Sequence, residues 1–289
     1  MMKSLGDQLQ KRMKLIPAVS QRTDFEVLDL CMAPGGFSST VLKHNPMAKV
    51  FGISLAESEG GNTVLLRNWQ EDTRVDIKFM DITMLSTDLG FPEFALQDHP
   101  SASKFSDTIP YEGHSFDLAF CDGQVISPEK QGQDMKHAAT RLICAQLILA
   151  LQRIKTGGTF VVLLHQTYRP QVVRLMEAFS HFSKVILSKP YPYHAKRSSF
   201  YLVAKDIDPQ HERACRLLRD LKNSWGACTA EAFGFEFWQD AVEEPATGDH
   251  VEDMSEILDS FGEKLVSLAK PAWKIQKEAL EKQFLSNGL

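Results

Sequence analysis

The chain has 289 residues, 43% hydrophobic and 24% charged, proportions that exclude a disordered, collagenous or coiled-coil protein. No uninterrupted apolar run approaches the roughly 18 residues of a membrane helix, and the opening MMKSLGDQLQKRMKLIP lacks the apolar core and cleavage site of a secretory signal. The net charge of −5 is uneven: residues 206–289 hold 9 Lys+Arg against 17 Asp+Glu, whereas the first 205 residues net +3, too little for a non-specific nucleic-acid binder.

In chain order, residues 1–22 read as a basic helical segment, with Lys3, Lys11, Arg12, Lys14 and Arg22 against Asp7 alone. Short β-branched runs bounded by turn residues predict strands at Glu26–Cys31, Ala48–Ile53, Val75–Phe79, Phe116–Cys121, Thr159–Leu164, Lys184–Leu187 and Phe200–Ala204. Helices are expected at Gly36–Lys43, Thr63–Gln70, Met135–Ile154 and Gln171–Phe179, the third ended by Lys155–Gly158, which leads into the fifth strand. Such alternation gives an α/β fold, a mostly parallel seven-stranded sheet with helices on both faces and the last two strands antiparallel at one edge. Residues 90–115 form a long excursion, either a lid or partly disordered. Residues 207–289 read as an acidic helical extension interrupted at Glu243–Asp249; Ile257, Phe261, Leu265, Leu268 and Trp273 give its last part an apolar face to pack on the core or on a second subunit. The expected division is therefore 1–22, 23–206 and 207–289. Five scattered cysteines without CxxC spacing read as reduced thiols, with no metal site, in an intracellular protein of cytoplasm or nucleus; a mitochondrial address stays open.

The strongest chemical signal is Val27-Leu-Asp29-Leu-Cys31-Met-Ala33-Pro34-Gly35-Gly36-Phe37-Ser38, a buried strand and then a tight turn opening a helix. Ligands bind an open α/β sheet at this edge, and glycines let the backbone approach them while the helix amino terminus offers N–H groups. There is neither GxGxxG nor a P-loop lysine, which disfavours a dinucleotide or nucleoside triphosphate. Asp81 and Asp122 each close a later apolar strand at the same edge, placed to accept from an amine or orient a hydroxyl.

DLCMAPGGFSS closely resembles motif I of the FtsJ-like (RrmJ-like) S-adenosylmethionine-dependent methyltransferases, and the similarity extends over roughly residues 10–205. The resemblance implies a Rossmann-like class I methyltransferase fold and methylation of RNA at ribose 2′-oxygens. It further implies that Asp29, Cys31, Ala33, Pro34, Gly35, Gly36 and Phe37 surround the cofactor and that Asp81, with Ile82, receives the adenine amino group. Ser54, or alternatively Glu57, would take the ribose contact, and Asp122 would stand beside the reacting centre. Of the family's Lys-Asp-Lys-Glu catalytic set, Lys14 or Lys11 would supply the first lysine and Asp122 the aspartate. The second lysine aligns with Leu163 and the glutamate with Ser199, so two of the four positions depart from the pattern.

His165, on the same strand face as Leu163, is a candidate replacement base. The loop bearing Lys189, Tyr193, His194, Lys196 and Arg197 interleaves rings with cations, a combination suited to stacking bases and holding phosphates or, equally, to a stiff packed loop. Three functions are consistent with these residues: an RNA methyltransferase, a silent S-adenosylmethionine-binding protein acting through partners, and a small-molecule O- or N-methyltransferase.

Overall fold

The computed structural model describes residues 1–97, 99–125, 137–235 and 253–286. Its strands are β1 (Glu26–Leu30), β2 (Lys49–Ser54), β3 (Val75–Phe79), β4 (Phe116–Cys121), β5 (Ile154–His165), β6 (Lys184–Ser188) and β7 (Ser199–Ile207). They form a seven-stranded sheet in the order β3-β2-β1-β4-β5-β7-β6. All pairings from β3 to β5 are parallel, and β7 runs against both β5 and β6. β4 (FDLAFC) is buried along its whole length, as a continuous apolar run in the middle of a two-sided sheet should be.

The helices are α1 (Met2–Met13), α2 (Gly36–His44), α3 (Ser86–Leu89), α4 (Glu93–Leu96), α5 (Ala138–Arg153), α6 (Pro170–Phe182), α7 (Glu212–Phe233) and α8 (Met254–Ser286). On one face of the sheet, Leu5, Leu9, Phe37 and Val41 from α1 and α2 pack with Val27, Phe120, Leu163 and Tyr201. On the other, α5, α6 and α7 close over Leu28, Phe116, Phe160 and Phe200. α1 lies parallel to α2: Met2 meets Gly36, Gly6 meets Thr40, and Asp7 pairs with Lys43 at 2.9 Å and His44 at 3.1 Å. A methyl group on Gly6 would sit 2.4 Å from Thr40 Oγ1, so only glycine permits this approach.

Three expectations change. Thr63–Gln70 is not a helix: Leu65 N–H is taken by Pro34 O at 3.0 Å, and Asn68 adopts a left-handed φ of 53°. Those bonds hold the segment against the glycine turn and prevent a helical ladder. β5 begins at Ile154, directly after α5, and Lys155–Gly158 lies within the strand, where Gly157 has φ 81° and the register shifts. The excursion at 90–115 is partly regular and packed, with Phe91 and Phe105 stacked 5.3 Å apart. Arg153 ties it down, donating to Pro110 O at 3.1 Å while its other nitrogen meets Asp88 at 2.6 Å.

The described parts of the extension, residues 207–235 and 253–286, are built into the fold. Trp225 of α7 is fully buried in the main core, and α8 lays Ile257, Phe261, Leu265, Ala269 and Ala272 against β6 and α6. The interruption expected at 243–249 and the start of the helix expected from Met135 lie outside the described residues. No described helix is long and apolar enough to cross a membrane.

Candidate active site

The ends of β1, β2, β3 and β4 lie side by side at the carboxyl edge of the sheet. After β1 the chain passes through Cys31 (φ 60°) to Gly35 (φ 91°), a backbone that glycine adopts without strain. Gly35 N–H donates to Met32 O at 2.6 Å, closing the turn. Ala33 N–H donates to Ser54 Oγ at 3.4 Å, so Ser54 braces the turn from β2; Glu57 is exposed just beyond. Gly36 has a packing reason of its own, since a Cβ there would lie 2.2 Å from that of Met2.

Two residues expected to touch the cofactor are turned beneath the turn. Asp29 is 2% exposed and accepts from Ser38 Oγ at 2.5 Å; burial nevertheless pushes its carboxyl up to about 7. The Phe37 ring stacks on Phe120 at 4.5 Å and meets Tyr201 edge-on at 6.1 Å, which leaves only its backbone at the edge. Burial also pushes the Cys31 thiol up to about 12, a neutral group packed against Gly123.

Asp81 follows β3. Its Oδ1 accepts from Thr83 N–H at 2.8 Å and Thr83 Oγ1 at 2.7 Å, which fixes the carboxylate and leaves Oδ2 for a ligand. Thr83 is held in turn by Trp225, whose Nε1–H donates to Thr83 O at 3.2 Å. Ile82 is 3% exposed and belongs to the core.

Asp122 follows β4 and receives the Tyr201 hydroxyl on Oδ1 at 3.0 Å. Burial pushes the Asp122 carboxyl up to about 7; the Tyr201 bond pulls it down and Asp29 adds to the rise. Burial raises the Tyr201 hydroxyl, which remains a donor. Gln146 of α5, fully buried, accepts from Gly123 N–H at 2.7 Å and fixes the backbone just past Asp122. Sequence reading missed both partners. The trace of Gln146 is a lone polar side chain on the apolar stripe of α5, whereas Tyr201 joins Asp122 from 79 residues away.

The other catalytic positions fall as follows. Leu163 pairs with Tyr201 across β5 and β7 and is 8% exposed. Ser199 is 1% exposed and bonded to His194 Nδ1 at 2.6 Å. Lys14 is at the wrong edge: Lys205 Nζ donates to Met13 O, the residue before it, and four residues of β7, about 13 Å of strand, separate Lys205 from Tyr201. Lys11 shares that lower half of α1. Because α1 runs parallel to α2, its first turn, with Lys3, reaches the carboxyl edge instead.

Of the expected substrate residues, Lys189 and His194 face inward. Lys189 is 2% exposed and donates to Arg197 O at 2.6 Å and Ser199 O at 2.9 Å; burial lowers its ammonium to about 8. Burial lowers the His194 imidazole to about 4, helped by Arg197 and Lys189. Both tie the loop to β7. Tyr193, Lys196 and Arg197 remain exposed, and Gln166 N–H, just past His165 at the end of β5, donates to Ser198 O at 3.0 Å, which brings this loop against the segment that carries the exposed Tyr168 and Arg169. His165 is lowered by burial and then by Arg169, Lys189 and Arg197, a sign of the positive field along this rim. All five cysteines are free, and no metal-ligating group exists among the described residues.

A family model described as FtsJ-like methyltransferase matches residues 7–207. A cap-specific mRNA (nucleoside-2'-O-)-methyltransferase of Autographa californica nuclear polyhedrosis virus is 25% identical over 183 residues, covering 61% of this chain and 62% of that protein. Cap-specific mRNA (nucleoside-2'-O-)-methyltransferase 1A of Caenorhabditis briggsae is 26% identical over 210 residues, 69% of this chain and 23% of that protein. Cap-specific mRNA (nucleoside-2'-O-)-methyltransferase 1 of Bos taurus is 27% identical over 189 residues, 62% of this chain and 21% of that protein. The chain thus spans less than two thirds of the viral relative and under a quarter of the two animal ones.

Proposed function

The chain belongs to the FtsJ-like methyltransferase family, and on that premise we propose that it transfers a methyl group from S-adenosylmethionine to a ribose 2′-oxygen of RNA. The observation that carries this reading is the meeting of the Gly35 turn, Asp81 and Asp122 at one sheet edge, beside an exposed rim of tyrosines and cations. The names of the viral and animal relatives point to mRNA as the acceptor.

The residues present fit the cofactor. Asp81, fixed through Oδ1, has Oδ2 to accept from the adenine amine, and the backbone of Gly36 and Phe37 offers N–H groups at the amino end of α2. When bound, the cofactor supplies an electrophilic methyl group on a sulfonium. The chain's own work is to bring one acceptor oxygen into line and to take its proton. Asp122, held by Tyr201, accepts the hydroxyl hydrogen. With leucine at position 163 no cation among the described residues pairs with this buried carboxylate, and burial brings it to about 7, where a carboxylate can act as the base. Lys3 is the amine that α1 carries to the same edge.

A second reading, a silent cofactor-binding protein, is favoured by the buried Leu163, which cannot shuttle a proton, and by the buried Ser199, which brings no carboxylate. Calorimetric titration with S-adenosylmethionine, with Asp81→Ala as control, followed by labelled-methyl transfer to capped and uncapped oligoribonucleotides, separates the two. The expected result is binding that Asp81→Ala weakens more than tenfold, a loss above about 1.4 kcal/mol, together with transfer to RNA. Binding without transfer selects the silent reading, and a folded wild-type chain that binds no cofactor overturns both.

A further inference from the structure

α8 lies beyond the residues the family model matches, and from Lys264 onward it differs in charge from the stretch just before it. Residues 223–263 contain eleven Asp+Glu and no Lys or Arg, whereas residues 264–286 contain five lysines and two glutamates. This cationic half rises to the carboxyl edge. Trp273 Nε1–H donates to Thr167 Oγ1 at 2.7 Å, in the loop that also carries Tyr168 and Arg169. A few turns later Ala279, Lys282 and Gln283 face Tyr191, Pro192 and Lys196 across a cleft of about 230 Å³.

The lining has a consistent chemistry. Lys196 stands on one wall and Lys282 on the other, and neither has an ion pair among the described residues; the nearby acid Glu281 is taken by Lys277 at 3.7 Å. Tyr191 is 50% exposed at the mouth, and Tyr168 and Trp273, at 71% and 40%, continue the row of rings along the rim. Free cations on both walls suit phosphates, and exposed ring faces suit unstacked bases. An acidic peptide would use the first feature and not the second.

We infer that α8 from Trp273 to Gln283 forms one wall of a cleft for single-stranded RNA, holding the sugar–phosphate backbone beside the nucleotide to be methylated. This rests on RNA being the substrate, and it adds a wall that the family domain does not contain.

The test uses the full chain with Lys282→Gln and Lys282→Glu. Binding of a labelled single-stranded oligoribonucleotide is measured over a salt series, and S-adenosylmethionine binding is measured in parallel. Removing one phosphate contact reduces the slope of log affinity against log salt by about 0.7. Lys282→Gln is expected to show that reduction and Lys282→Glu a further several-fold loss of RNA affinity, with cofactor affinity and melting temperature unchanged. Variants that bind RNA with wild-type affinity and slope overturn the inference, as do variants whose cofactor affinity or melting temperature falls in step with RNA affinity. A wild-type chain that binds cofactor but no RNA fails at the first measurement, which identifies the substrate assignment itself as wrong.

Discussion

On the proposed function, Asp122 and its partner Tyr201 are the residues that should set the response of the site to pH. A carboxylate that takes a proton must be ionised, and burial brings Asp122 to about 7. The rate of methyl transfer is therefore expected to be low below that value, to rise as pH passes through it, and to level off above. Tyr201→Phe removes the hydroxyl that holds Asp122 down, so the midpoint of the kcat profile moves to higher pH while cofactor affinity stays within a few-fold. An unmoved midpoint would show that another group titrates. Asp81, Asp122 and the glycine turn were legible in the sequence because each closes an apolar strand, and strand ends of a parallel sheet share an edge. Lys189 and His194 were not correctly read, because a loop rich in rings and cations looks the same whether its polar atoms meet solvent or its own carbonyls.

Among the elements, α1 shows what a helical pattern leaves out. Its apolar spacing foretells a helix but not its direction, and direction decides whether Lys3 or Lys14 arrives at the chemistry. The contact at Gly6 fixes that direction. Gly6→Val is expected to destabilise the fold by roughly 1–3 kcal/mol through overpacking, measured by urea unfolding. If Lys3 serves the reaction, kcat falls further than cofactor affinity; equal losses would mean that α1 only supports the cofactor turn. The segment before β3 failed as a helix for a related reason: Leu65 gives its N–H to Pro34 O, and no local pattern announces a partner on another strand's turn.

For the whole molecule, alternating apolar runs foretold the seven strands and the reversed one near the edge, while the packing of α7 and α8 on the sheet's helices was not legible from their charge. α7 fills the main core with Trp225, and the same indole steadies Thr83 and through it Asp81. Trp225→Ala is expected to cost about 3–5 kcal/mol. Trp225→Phe, which keeps most of the volume and loses the N–H, is expected to weaken cofactor binding with a smaller fall in stability. Calorimetry and thermal unfolding of both variants check this, and a Trp225→Phe protein with wild-type cofactor affinity would reduce Trp225 to a packing residue.

The reversed strand has a consequence for the order in which the molecule comes together. β7 lies between β5 and β6, and among the described residues β6 pairs with β7 alone. β6 therefore has no strand to join until residues 199–207 pair beside β5. Tyr201 travels on that returning strand. Asp122 consequently gains its hydroxyl partner only with β7 in place, whereas the glycine turn is complete without it.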